Sequence, residues 1–479
     1  MKITRISVWS SWTFFAPLIC IGWLLSVPTP ALAQCNNSTG FNTVYGNCRG
    51  TATTQGSFAM VDATQFGTSS TDICTAIANI LATYNPTSGG TSGIVIDARG
   101  FASTGLTCNN GGVSPWSNVS GNFASVILLP AGTIALYETL KLPTNSKLVG
   151  AGSGSTTFRA CTTATGCSSN FSGSDMIDMG LGFATCDVST GKAPDYPAVV
   201  IEHLALNANH IQNLNGIVND CAQELSSVND VALANFAPGG IGLWLNDHSD
   251  NSGPYANISY SGSGRCAQIF NSSTNKPSNL NQTRGIHGLT CAMSGSENAI
   301  YLDAPNNSLE DVYISGGSTQ DGILIGSQAN AYNNVIFNVR GSGLRNVIHI
   351  CGTTTCGATP YNVTDLTILG VGVVAGSGDS IEDDLTNMTL PSPYVGMYIL
   401  GEQVEGGSSS IGYSRFTTSP NGNPTVRAAT WLVGSKPPTT GACAAGSLYS
   451  CTDGSNCNTT GELYTLWGCQ GSGGWKGIR

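Results

Sequence analysis

Four ring side chains, Trp244, Tyr301, His349 and Tyr398, recur at one position of a short repeated segment. Asp220, Asp247, Asp303, Asp321 and Arg345 stand close to them in the chain. Aromatic rings stack on the apolar faces of sugars, and carboxylates bind hydroxyls or transfer protons. Glycoside hydrolysis needs two carboxyl groups roughly 5–10 Å apart. Asp303 with Asp321, or Asp220 with Asp247, could provide them. Elimination needs a base, and often a cation held by carboxylates. Arg345, His349 and the same aspartates could serve there, with Ca2+ as the one cofactor such a lyase would want. Catalysis is therefore expected from Asp303, Asp321, Arg345 and His349, and substrate binding from Trp244, Tyr301, Tyr398, Asp220 and Asp247. The rival expectation is that a long turn covers this face and the rings only pack.

These residues come together only if the segments carrying them stack. A first template, apolar–x–polar–apolar–x–apolar, recurs as IEHLAL (201–206), VNDVAL (228–233), IHGLTC (286–291), LEDVYI (309–314), YNNVIF (332–337) and VTDLTI (363–368). A second lies between the copies: GIVND (216–220), LWLND (243–247), IYLDA (300–304), GILIG (322–326), VIHIC (347–351) and GMYIL (396–400). Both alternate with the period of a strand, and Gly, Asn, Asp and Ser fill the intervals as turns. One such pair cannot bury its own apolar face, whereas copies stacked about every 23 residues can. The pattern predicts an all-β parallel solenoid. Leu204, Val231, Leu289, Val312, Val335 and Leu366 would share its interior. Val218, Trp244, Tyr301, Leu324, His349 and Tyr398 would form an outward column. The residue before each of those interior positions is His203, Asp230, Gly288, Asp311, Asn334 or Asp365, types that accept a left-handed turn. A β-sandwich is the main alternative. A leucine-rich repeat lacks its Leu/Asn signature, and a propeller needs longer repeats with hairpins.

An open solenoid end needs a cover. Thr71–Tyr84 (TDICTAIANILATY) has Ile73, Ile77, Ile80 and Leu81 at helical spacing behind a capping Thr71 or Asp72, and predicts a cap helix. After it come IDARG, LLPAGTI, LPTNSKLVGAG and TTFRA. This order resembles the first coils of the pectin-lyase-like superfamily, which includes pectate lyases, polygalacturonases and phage tailspike depolymerases. The resemblance spans about residues 57–400 and implies a right-handed parallel β-helix. It brings no catalytic set with it. The hydrolase order N-T-D, D-D, H-G, R-x-K is absent, since His287-Gly288 precedes Asp383-Asp384, and the lyase pattern R-x-P-x-x-R is missing. The activity implied is glycan cleavage by a lyase or hydrolase. A non-catalytic surface or adhesion protein is the alternative.

Composition sets the outer bounds. Only 10% of the 479 residues are charged and 61 are glycine, which disfavours a helical protein. A net charge of −10 disfavours nucleic acid as partner. Lys2 and Arg5, the apolar stretch Trp12–Val27 and Ala31-Leu32-Ala33 read as a cleaved export signal over 1–33, with a membrane anchor as the weaker reading because Pro17, Pro28 and Pro30 interrupt it. Of 17 cysteines, Cys20 lies in that segment. The even remainder predicts disulfides, Cys161–Cys167 and Cys351–Cys356 among them, rather than zinc. Residues 34–110 would hold the N-terminal segment and cap, 111–430 the β-helix, and 431–479 a small Cys-rich β-module after Pro437-Pro438. The expected setting is extracellular or cell-envelope, the expected partner a polysaccharide, and the oligomeric state is left open.

Overall fold

The computed structural model describes residues 59–67, 72–84, 93–111, 114–116, 124–180, 197–246, 251–270 and 285–351, then strand segments at 363–374, 379–383, 397–404, 431–434, 448–451, 458–459, 462–463, 466–470 and 475–478. The export signal, Asp247, Cys35, Cys48, Cys356 and Cys457 lie outside these residues. Among the described residues no helix is long and apolar enough to cross a membrane.

The chain winds as a parallel β-helix. The strands stack into two parallel sheets, of 15 and 9 strands, and from Ser172–Met179 onward the chain passes between them coil by coil. The longer sheet passes from Ala59–Asp62 through Val200–Asn207, Ser227–Phe236, Tyr255–Gly262, Ile286–Met293, Ser308–Ser315, Val335–Ser342 and Leu366–Val374 to Met397–Val404. The shorter one runs from Glu138–Leu142 to Asp379–Asp383. Between them lies one apolar interior. From Trp431 onward, Trp431–Gly434, Leu448–Cys451, Leu466–Cys469 and Trp475–Ile478 form a separate four-stranded sheet, and Asn458–Thr459 pairs with Glu462–Leu463.

From Val200–Asn207 to Leu366–Val374 the seven long strands carry a left-handed residue at one shared level, His203, Asp230, Asn257, Gly288, Asp311, Asn338 or Gly370, with φ between 51° and 70°, and Ser227–Phe236 has a second at Asn235. A plain strand buries every second residue. The left-handed residue bends the chain so that the residues on either side, Leu309 and Val312 for instance, both turn inward. Asn and Asp tolerate this conformation and glycine adopts it freely. Neighbouring corners also bond: Asn338 donates to Asp311 at 2.6 Å, and His203 Nδ1 lies 2.8 Å from Asp230.

The register corrects the sequence reading at two coils. Leu309 pairs with Ile336 and Val312 with Val339, a step of 27 residues, whereas the step from Ile286 to Leu309 is 23. Val335 is thus not interior but 38% exposed, and Val339 takes the place expected for it. The corner is Asn338 instead of Asn334, and Gly370 instead of Asp365. YNNVIF and IFNV both satisfy the apolar–x–polar–apolar pattern, and only backbone pairing separates them. Asp365 is left-handed too, in a second turn column with Asn306 and Asn333.

The cap helix, Ile73–Tyr84, buries Ile73, Ile77, Ile80 and Leu81 as expected. Asp72 caps it by accepting from the Thr75 N–H at 3.0 Å. Cys74–Cys108 fastens it to the first coils, Cys161–Cys167 is formed, and Cys266–Cys291 crosses the interior. Cys221, Cys351 and Cys451 are disulfide-bonded as well.

The register predicts opposite outcomes for two valines. Val312→Asp would bury an unpaired charge and cost several kcal/mol. Val335→Asp places its charge in water and should leave the melting temperature within a few degrees of wild type. Thermal denaturation of both variants checks this.

Candidate functional site

In the shorter sheet one column of side chains points away from the interior, although Asp178, Val218, Gln268, Leu324 and His349 in it are buried. Backbone pairing sets it as Lys141, Asp178, Val218, Trp244, Gln268, Tyr301, Leu324, His349 and Glu382. Five of the six expected members are in place. Tyr398 is not: it lies in the other sheet, level with Thr367. Its segment fits the second template, but the strand that follows His349 in this sheet is Asp379–Asp383. Gln268 and Glu382 carry no direct sequence signal for this column, because RCAQIF and DSIED match neither template, and Asp178 lies before the first copy of the second template.

Three residues before the column runs a polar row containing Asp175, Asn215, Arg265, Asn298, Asp321 and Asn346. The two rows meet in a cleft of about 180 Å³ lined by Asn298, Tyr301, Asp321, Leu324, Ser327, Gln328, Arg345 and His349. Three of the four expected catalytic residues therefore converge. Asp321 is fully buried and saturated. Arg345 donates to it through a fork, with Nε at 2.9 Å from Oδ1. His349 Nδ1 lies 2.8 Å from Oδ2, and Asn346 donates to Oδ1 at 3.0 Å. Burial alone would raise the Asp321 pKa, but the hydrogen bonds and charges of His349 and Arg345 outweigh it, so the carboxyl titrates below its usual range. An ionised carboxylate can only accept, so His349 Nδ1 carries the proton and the other ring nitrogen, Nε2, is the basic one.

Beside this group the Arg265 guanidinium sits 3.5 Å from the centre of the Tyr301 ring and donates to Gln268. A cation on a ring face contributes about 0.5–1 kcal/mol when partly exposed. It also occupies one face of a ring expected to stack on sugar.

Asp303 does not join them. It lies level with Gly326, five residues along the strand from Asp321's level and one coil away. That is about 16 Å along the sheet, too far for a pair acting on one bond. Asp303 is buried and accepts from the N–H groups of Ser327 at 2.6 Å and Gln328 at 3.0 Å. It fastens the turn that forms one wall of the cleft. Burial pushes its pKa up to about 6, against the pull of those hydrogen bonds.

Trp244 and Asp220 belong to a second group, two or more coils away. Asp220 is buried and accepts from Asn246 at 3.0 Å. Asp178 is buried beside it, and its Oδ1 has no hydrogen-bond partner. Burial, then the nearby charges of Asp175 and Asp220, push the Asp178 pKa up to about 8.

Calcium does not fit the cleft. Both Asp321 oxygens are engaged by Arg345, Asn346 and His349, and among the described residues no three Asp, Glu, His or Cys side chains are arranged to hold a metal ion.

The fold and this face define a parallel β-helix protein with a polar cleft on one sheet. No protein-family model matches the chain, and no curated protein sequence does. Among solved structures it is similar to ORF18 of Geobacillus virus E2, at 12% identity over 88% of this chain and 86% of that one, with a TM-score of 0.39. It is also similar to the A-module of the mannuronan C-5 epimerase AlgE6 of Azotobacter vinelandii, at 11% identity over 72% and 99% of the two chains, TM-score 0.27. A third is a DFA-IIIase of Arthrobacter chlorophenolicus A6 in complex with GF2, at 12% identity over 78% and 94%, TM-score 0.27.

The Asp178 pKa gives a signed pH test. An acid whose pKa is higher in the folded state holds its proton there while the unfolded chain releases it. Stability should then fall as pH rises from about 4 to about 8, by up to ~1.4 kcal/mol per pH unit. Asp178→Asn removes the ionisation. It should match wild type at pH 4 and melt higher at pH 8 to 9. Parallel melting profiles at every pH would contradict this.

Proposed function

We propose that the protein acts on an acidic polysaccharide at the Asp321–Arg345–His349 cleft. The observation that carries this reading is that Asp321 holds an imidazole and a guanidinium together at the edge of one open cleft. Asp321 orients His349, whose Nε2 takes a proton from the carbon next to a uronate carboxyl group. Arg345, whose side chain is 50% exposed, binds that carboxylate in a fork and offsets the charge that develops on it. The glycosidic oxygen then leaves the neighbouring carbon with its bonding pair and takes the proton from His349, which completes an elimination to an unsaturated sugar and an alcohol. Local cations explain how a chain of net charge −10 accepts an anionic polymer. Export from the cell belongs to the same proposal and is supported by the disulfides of the described core.

A second reading is favoured by the saturation of Asp321. Four donors on one carboxylate also suit a rigid structural network, and the face would then bind glycan without cleaving it.

Incubation with acidic and neutral polysaccharides separates the two. Unsaturated products from an acidic polymer support elimination, and retention on the polymer without products supports binding alone. On a cleaved polymer, His349→Gln should lower kcat by 100-fold or more, roughly the contribution of a positioned base. Arg345→Lys should chiefly raise KM, because an ammonium cannot form the fork. Full activity of His349→Gln would remove His349 as the base.

A further inference from the structure

Arg265 is a cation without a counter-ion. Among the described residues Arg99 pairs with Asp97 and Arg345 with Asp321, whereas Arg265 forms no ion pair. Its guanidinium lies 3.5 Å from the centre of the Tyr301 ring and donates to the Gln268 side-chain oxygen. Its Nε is enclosed and has no acceptor. Gln268 is itself buried, and Tyr301 lines the cleft. A ring and an amide thus hold the charge at a fixed place on the sheet, and neither neutralises it. A guanidinium drawn partly out of water with no anion beside it costs free energy. A bound anion offsets that cost, and the guanidinium fork matches a planar carboxylate. Arg265 is half-buried, so the group stays within reach of a chain lying on the sheet.

Its place relative to the cleft defines the anion. Arg265 is level with Asn298, and Asn298 with Asp321, in the polar row of the shorter sheet. The Arg345 guanidinium reaches back from the next coil onto Asp321. Two coils, roughly 10 Å, separate the backbone positions of Arg265 and Asp321. Between them Asn298 is uncharged, and its side-chain oxygen accepts from the Asp321 N–H at 2.8 Å. Along the solenoid axis the row runs cation, neutral amide, cation. An extended chain of pyranose rings advances per unit by about the spacing of one coil, roughly 4.8 Å. Alternate units of such a near two-fold chain face the same way. A carboxylate held by Arg345 therefore puts the carboxylate of the next unit but one at Arg265, with the intervening unit opposite Asn298.

We propose that Arg265 is a second carboxylate subsite of the same face, a proposal that rests on the acidic-polysaccharide reading of the cleft. The substrate is then a chain with a carboxylate on at least every second unit, laid along the solenoid axis. Arg345 holds the carboxylate of the unit that reacts, and Arg265 anchors the chain two units away. Tyr301 is a positioning residue: its covered face serves the guanidinium and not a sugar ring.

The test is calorimetric binding of oligouronates of two to five units, prepared from polygalacturonate and from alginate, to the intact folded chain. Wild type should bind a four-unit chain about tenfold more tightly than a two-unit chain of the same acid, the size of one charge-assisted pair. Arg265→Gln should remove that gain, and Arg265→Lys should restore part of it. Tyr301→Leu, which frees the guanidinium, should reduce the gain with Arg265 in place. Arg345→Gln should weaken binding at every length. Melting temperatures show which variants are folded. A folded Arg265→Gln variant that keeps the full gain, while Arg345→Gln weakens every length, overturns the subsite and leaves the cleft reading standing. Wild type that binds no oligouronate of any length overturns the cleft reading and the subsite together.

Discussion

The left-handed corner in each long strand is the constraint on which the rest of the molecule depends. Without it a strand would alternate strictly and present half its apolar residues to water. With it, Leu309 and Val312 both reach one interior, as do their counterparts in the coils above and below. The corner also fixes where the chain leaves the long sheet, and hence where the short sheet's outward column falls. A one-residue slip at a corner would turn His349 or Asp321 into the core.

The two faces of the solenoid solve opposite electrostatic problems. On the short sheet, Asp321 is buried and stays charged because cationic and amide donors surround it. Asp178, on the same sheet, is buried among other carboxylates and keeps its proton instead. Burial by itself raises both; the neighbours decide the outcome. On the long sheet, the His287–Glu310 pair is partly exposed, so neither group is fully desolvated.

Much of this was legible in the sequence, and the failures have physical causes. Period-2 alternation and turn residues mark the solenoid and most of the outward column, and helical spacing behind a capping residue marks the cap helix. Asp321, Arg345 and His349 were selected because they stood near ring positions, and backbone stacking does bring them together. Register was the weak link. Asn334 and Asn338 are the same residue type four positions apart, and nothing local says which one bends the chain. Tyr398 was assigned to the wrong sheet for a similar reason, since GMYIL suits either. Arg265, Gln268 and Asp178 were missed because their importance comes from residues one coil away. The repeat itself offered a signal for two of them: YANISYSG (255–262), with Asn257 and Ile258 lying 27 residues beyond Asp230 and Val231, announces a coil whose second strand must carry Arg265 and Gln268.

The bridge Cys74–Cys108 ties the cap helix to the first coils. In a stack where each layer touches only its neighbours, stability behaves like a zipper, and melting begins where a layer lacks a partner. A covalent lock on the cap keeps the first layer closed even when its strands loosen. The cap helix cannot drift off the apolar interior without taking Leu106–Cys108 with it. The layers beside the cap would therefore open together or not at all, and a protease would find them as one block.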